Sequence, residues 1–143
     1  MLGLPIKSVL EPRKLVTAAP QASVSEAARL MKDGKVGAVL VVEGGRLVGI
    51  FTERDALFRV IAGGLDPDAT ALGEVMTPDP TTVGPHETFG YALLLMHENG
   101  LRHVPVVEDC RPVGVLSARH ALDPDLEEFT AEAERRRHIR RRA

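Results

Sequence analysis

Two seven-residue stretches carry the side chains best placed to do chemistry. Gly49-Ile50-Phe51-Thr52-Glu53-Arg54-Asp55 closes an apolar run with a hydroxyl, a base and an acid. Sixty-five residues later, Gly114-Val115-Leu116-Ser117-Ala118-Arg119-His120 repeats the glycine, the apolar pair, the hydroxyl and the arginine, but ends in histidine. Where such a stretch turns from strand into helix, unpaired backbone N–H groups and the positive end of the helix dipole suit a phosphate. A carboxylate one turn in is acceptor-only, and its two oxygens can take both hydrogens of a vicinal diol such as a ribose. The spacing Thr52-x-x-Asp55 is equally that of a capping box, in which the two side chains satisfy each other's backbone N–H groups. The two roles are compatible. Ser117 keeps the cap in the second copy, whereas the imidazole of His120 lacks the paired oxygens a diol needs, which leaves it a phosphate contact or a plain surface position. Arg54 and Arg119 recur at one helical position, either as phosphate contacts or as exposed arginines.

Other chemistries find no support in the residue pattern. His86, His97, His103, His120 and His138 do not follow a metal-ligand spacing, and no cysteine pair accompanies them. No Gly-rich phosphate loop, Gly-x-Ser-x-Gly elbow or nucleophile–base–acid set is present, so the chain does not read as an enzyme and needs no cofactor. Cys110 is the single cysteine, in a turn-like segment, and cannot form an internal disulfide. A net charge of −2 and an aromatic content of 3% disfavour nucleic acid as a partner, although Arg135-Arg136-Arg137-His138-Ile139-Arg140-Arg141-Arg142 gathers positive charge at one end and keeps that as a secondary reading. With 44% hydrophobic and 27% charged residues, no apolar run approaches the roughly 20 residues of a membrane span, and the first residues lack a signal-peptide pattern. The expected location is cytoplasmic.

The recurrence extends well beyond the two corners. Positions 16–55 align with 81–120 without a gap, with 13 identities in 40 positions. Each copy reads as a short extended piece (residues 14–18 or 81–84), a helix, and two β-rich runs joined by a tight turn (38–42 and 47–51, or 104–107 and 113–116). A second helix then runs from Thr52 to about Ala62, or onward from Ser117. Ser23 and Thr88 are the helix caps; Val24, Ala27, Ala28 and Met31 form one inward face, and Phe89, Ala92, Leu93 and Met96 the other. Gly44-Gly45 makes a hairpin turn. Upstream, Ile6-Lys7-Ser8-Val9-Leu10-Glu11-Pro12 echoes Leu72-Gly73-Glu74-Val75-Met76-Thr77-Pro78 at an offset of 66. One hairpin with two helices cannot bury a core alone, whereas two copies can. The expectation is an α/β (α+β) fold of two β-α-β-β-α repeats about a pseudo-twofold axis, sheets facing and helices outside. The repeats occupy residues 1–70 and 71–122. A last helix over 123–143, with Leu122, Leu126, Phe129 and Ala133 on its apolar side, ends in the arginine-rich run.

The ordered set of motifs resembles the tandem cystathionine-β-synthase (CBS) domain pair, or Bateman module. The resemblance rests on Val75-Met76-Thr77-Pro78, on Gly100-Leu101-Arg102-His103-Val104-Pro105-Val106-Val107, and on the Gly-x-x-Thr-x-x-Asp stretch, and it covers residues 6–120. It implies a non-catalytic regulatory module that binds an adenosine-containing ligand (AMP, ADP, ATP or S-adenosylmethionine) in clefts between the repeats and alters assembly or the binding of a regulated protein. It places Thr52 and Asp55 on a nucleotide and sets Thr17, Ala18, Gly37 and Ala38 beside base and ribose. It brings Arg102 and His103 toward phosphates. The counterpart corner, with Ser117, Arg119 and His120, departs from the pattern. The resemblance also implies a homodimer; a dimerisation module with empty clefts is the alternative.

Overall fold

The computed structural model describes residues 2–11 and 14–118. The expectations for Arg119, His120, the final helix and the arginine-rich end lie outside the described residues.

Two alternating strand pairs organise the chain. In the first repeat, β2 (Ala38–Glu43) and β3 (Arg46–Thr52) form an antiparallel hairpin. Its turn places Gly44 at φ 61° and Gly45 at φ 79°, the left-handed conformation that a two-residue hairpin turn requires. β1 (Thr17–Ala18) joins β2 in parallel, and β4 (Thr77–Pro78) joins β3 antiparallel, giving a four-stranded sheet in the order β1-β2-β3-β4. In the second repeat, β5 (His103–Glu108) and β6 (Arg111–Ser117) form a two-stranded sheet with the same register and the same bulge position. Here Asp109 and Cys110 take the left-handed turn positions, at φ 53° and 64°.

Helix α1 (Val24–Gly34) starts at Ser23, whose hydroxyl accepts the Glu26 N–H at 3.1 Å; helix α4 (Phe89–Asn99) starts at Thr88, whose hydroxyl accepts the Tyr91 N–H at 3.2 Å. Both end on a left-handed residue, Lys35 and Gly100. The second helix differs from the expected continuous α-helix. It opens as α2 (Glu53–Asp55) and widens into a π-helix over Ala56–Ile61, where the Ala62 N–H reaches back five residues to the Leu57 carbonyl at 2.9 Å.

The buried aliphatic and aromatic residues of the strands fall into three apolar clusters. Val39, Val41 and Phe51 pack on α1, Val60 and the short helix α3 (Leu72–Val75); Val104, Val106 and Leu116 pack on α4 and Ile6. Ala38, Leu40 and Ile50 point the other way, where Val115 of the second repeat meets them. Both faces of β2 are therefore covered, as its continuous apolar run requires. The sheets face each other and the helices lie outside.

Two further sequence expectations need correction. Ala28 is exposed, because the buried stripe of α1 is narrower, formed by Val24, Ala27 and Met31; a methyl side chain costs little in water. The extended piece at residues 81–84 is reduced to one parallel bridge, Val83 to Val106, and that at 14–18 to the two residues of β1. At Gly49 the segment of Met76 and Thr77 comes close: a Cβ there would overlap the Met76 sulfur and come within 3.1 Å of the Thr77 carbonyl.

The segments preceding the repeats are exchanged. The stretch before repeat two packs on repeat one: Leu72 and Val75 enter its core, and the N–H groups of Leu72 and Gly73 donate to the Ala22 and Pro20 carbonyls at 2.9 Å. The stretch before repeat one packs on repeat two: Ile6 is fully buried there, its N–H donates to the Glu87 carbonyl at 2.8 Å, and Leu10 lies against Gly114 as Met76 lies against Gly49.

Candidate functional site

The β3-to-α2 corner is held by a reciprocal capping box. The Thr52 hydroxyl accepts the Asp55 N–H at 3.2 Å, and Asp55 Oδ2 accepts the Thr52 N–H at 2.9 Å. The Glu53 N–H donates to the Gly37 carbonyl at 3.0 Å, which ties the corner to the start of β2. With Oδ2 used by the backbone, Asp55 Oδ1 is left beside the Arg59 Nε at 3.5 Å, and the Asp55 side chain is only 13% exposed.

Asp55 opens into a cavity of about 280 Å³ built from both repeats. Repeat one contributes Ile50, Thr52, Glu53, Arg54 and Asp55; repeat two contributes Gly100, Leu101, Arg102 and His103; the connecting stretch contributes Thr77, Asp79, Pro80 and Thr81. The volume is close to the lower range of small-molecule sites, and the mixture of an apolar floor with a few polar groups is their usual composition. Asp79 sits at φ 45°, a left-handed conformation that aspartate tolerates, and its N–H donates to the Val48 carbonyl at 3.2 Å. The lining includes two arginines, Arg54 and Arg102, and three acidic residues, Glu53, Asp55 and Asp79, residue types that partner anionic and hydroxyl-bearing ligand groups respectively.

Of the residues singled out from sequence, Thr52, Arg54, Asp55, Arg102 and His103 are brought together in this cavity. Gly37 stands beside two of its lining residues: a Cβ there would sit 3.0 Å from His103 Nε2 and 3.1 Å from Glu53 Oε1, so a larger residue would require those side chains to shift. Thr17, Ala18 and Ala38 are outside it. Thr17 and Ala18 form β1 opposite Leu40 and Val41, and Ala38 is buried between the sheets. Ser117 pairs with His103 across β5 and β6. The cause is the pseudo-twofold arrangement, which sets the helix start of one repeat against the strand start of the other; Gly37 and Ala38 are the counterparts of Arg102 and His103. Sequence reasoning missed Thr77, Asp79, Pro80 and Thr81. The segment repeated at an offset of 66 includes Thr77 but ends at Pro78, so it gave no signal for Asp79, Pro80 and Thr81.

Among the described residues no group of three His, Cys, Asp or Glu side chains could hold a metal, and no helix is long and apolar enough to cross a membrane. Away from the cavity, a hydrogen bond to Cys110 raises the pKa of the exposed Arg46 guanidinium above its usual value and leaves its charge unchanged.

The sequence profile of the CBS domain family matches residues 6–62 and 72–125. The chain is 34% identical over 117 residues to the CBS domain-containing protein CBSCBSPB3 of Arabidopsis thaliana, covering 79% of this chain but only 21% of that protein, so it spans about a fifth of the relative's length. The CBS domain protein PAE2072 from Pyrobaculum aerophilum, solved in complex with AMP, superposes with a TM-score of 0.74 at 28% identity, covering 81% of this chain and 88% of that one. The CBS domain pair of protein MJ0100, solved with 5′-methylthioadenosine and S-adenosylmethionine, superposes with a TM-score of 0.73 at 26% identity, covering 81% and 94%.

Proposed function

The chain belongs to the CBS domain family, and on that premise we propose that it is a non-catalytic regulatory module whose inter-repeat cavity takes an adenosine-containing ligand, AMP first among them. The observation that carries the reading is the Asp55 carboxylate. One of its oxygens is fixed by the Thr52 N–H, the other lies 3.5 Å from Arg59 Nε, and the residue lines the cavity together with Arg102 and His103 of the second repeat. The ribose diol donates to that carboxylate, and the phosphate lies toward Thr52, Arg54 and Arg102. A solved neighbour that holds AMP and another that holds S-adenosylmethionine support the ligand class.

The reading extends to assembly. Leu57, Phe58 and Ile61 of the π-helix are 51%, 61% and 71% exposed, an apolar group of the kind that a protein interface covers. A second copy of the chain covers it, and ligand binding shifts the population of assembled forms by its differential affinity for them.

Calorimetric titration with AMP, ATP and S-adenosylmethionine tests the proposal. Saturable heat with at least one of them, accompanied by a rise in melting temperature, is the expected result. No heat and no thermal shift at millimolar concentration of any of the three sinks it and leaves a dimerisation module with empty clefts.

A further inference from the structure

We propose that Arg59 is a positioning residue for this cavity, a clamp that fixes the Asp55 carboxylate against the segment joining the two repeats. The inference rests on the reading of Asp55 as a ligand contact. Arg59 is one turn beyond Asp55 in the π-helix, and its guanidinium reaches in two directions. Its Nε lies 3.5 Å from Asp55 Oδ1, the oxygen that the Thr52 cap leaves free. Its Nη1 donates to the carbonyls of Val75 at 3.0 Å and Met76 at 3.2 Å, and its Nη2 to the Thr77 hydroxyl at 3.5 Å.

As a surface ion pair with a half-exposed arginine, the contact with Asp55 alone would contribute little. The three acceptors at residues 75–77 change this, because a planar guanidinium held by several partners has one orientation and imposes it on the carboxylate. What Arg59 holds is itself built into the site. Met76 packs on Gly49, Thr77 pairs with Ile50 in β4 and lines the cavity, and Asp79 follows two residues later in the same wall. A ligand that takes Asp55 Oδ1 therefore presses on a group bonded to the inter-repeat segment. A lysine would keep the charge near Asp55 but cannot span all the acceptors.

The test is a double-mutant cycle read by AMP calorimetry on Arg59→Ala, Asp55→Asn and the double variant, with Arg59→Lys alongside and the exchange of the backbone amides in residues 76–79 (those of Met76, Thr77 and Asp79, Pro78 having none) followed by mass spectrometry. Arg59→Ala should weaken AMP about tenfold, with Arg59→Lys recovering part of that, and it should change affinity less than about twofold on the Asp55→Asn background. Amide exchange at residues 76–79 should accelerate about tenfold in Arg59→Ala without ligand. Additive losses in the double variant, or unchanged exchange at 76–79, overturn the proposal. If the unmodified protein binds no AMP, the reading of Asp55 falls, and the clamp is then judged by the exchange data alone, where an unchanged rate refutes it.

Discussion

Replacing Asp55 with alanine separates its two roles by magnitude. In the free protein, the substitution removes the acceptor of the Thr52 N–H, one half of a capping box, at a cost of about 1 kcal/mol. The 3.5 Å ion pair with half-exposed Arg59 adds at most a few tenths, since solvent screens it. For a chain of 143 residues, the melting temperature should fall by roughly 2–4 °C. Binding loses more: a hydrogen bond to a charged group is worth roughly 1.5–3 kcal/mol, so AMP affinity should drop about 10- to 100-fold. Ser23→Ala is the control. It removes an equivalent cap, at the start of α1, from a residue that does not line the cavity, so it should lower the melting temperature by a similar amount and leave affinity unchanged. Both variants would be followed by scanning fluorimetry and isothermal titration calorimetry. Equal AMP affinity in Asp55→Ala and Ser23→Ala would mean that the carboxylate only caps a helix.

Three further outcomes follow from the packing. Gly49→Ala forces the Met76 sulfur and the Thr77 backbone aside and should cost about 1–3 kcal/mol in urea denaturation; Gly114→Ala, which meets only the flexible end of Leu10, should cost less. Cys110→Gly relieves a side chain at φ 64° and should raise stability by about 0.5–1 kcal/mol, measured the same way, with the Leu47 N–H still bonded to the residue 110 carbonyl. Phe58→Glu with Ile61→Glu places two charges on the exposed apolar group and should leave a monomer in sedimentation velocity under conditions where the unmodified chain is a dimer.

Local structure was legible in the sequence wherever its cause was local. Ser23 and Thr88 cap their helices, Gly44-Gly45 turns its hairpin, and Thr52 with Asp55 closes the box that their spacing predicts. The 65-residue recurrence disclosed the two-copy architecture, because equal sequences in equal surroundings make equal elements. What escaped depended on contacts between the copies. Thr17 and Ala18 have the right residue types for a cleft, yet they pair with Leu40 and Val41 and are not among the residues that line the cavity at the Thr52 corner. Asp79, Pro80 and Thr81 carry no motif and become a wall only because β4 leads them past Ile50. The π-helix at Ala56–Ile61 leaves no trace in the apolar spacing, and neither does the reach of Arg59 to carbonyls sixteen and seventeen residues away.

The crossed leading arms bear on how such a chain can be cut or built. A lone repeat of this design would own an arm with no berth on itself and a berth with no arm, a state that a second lone repeat relieves by trading. Joining two copies head to tail converts that trade into an internal event, governed by tether length instead of by protein concentration. Scission between the copies would not yield two half-proteins, since each fragment would still wear the other's missing piece.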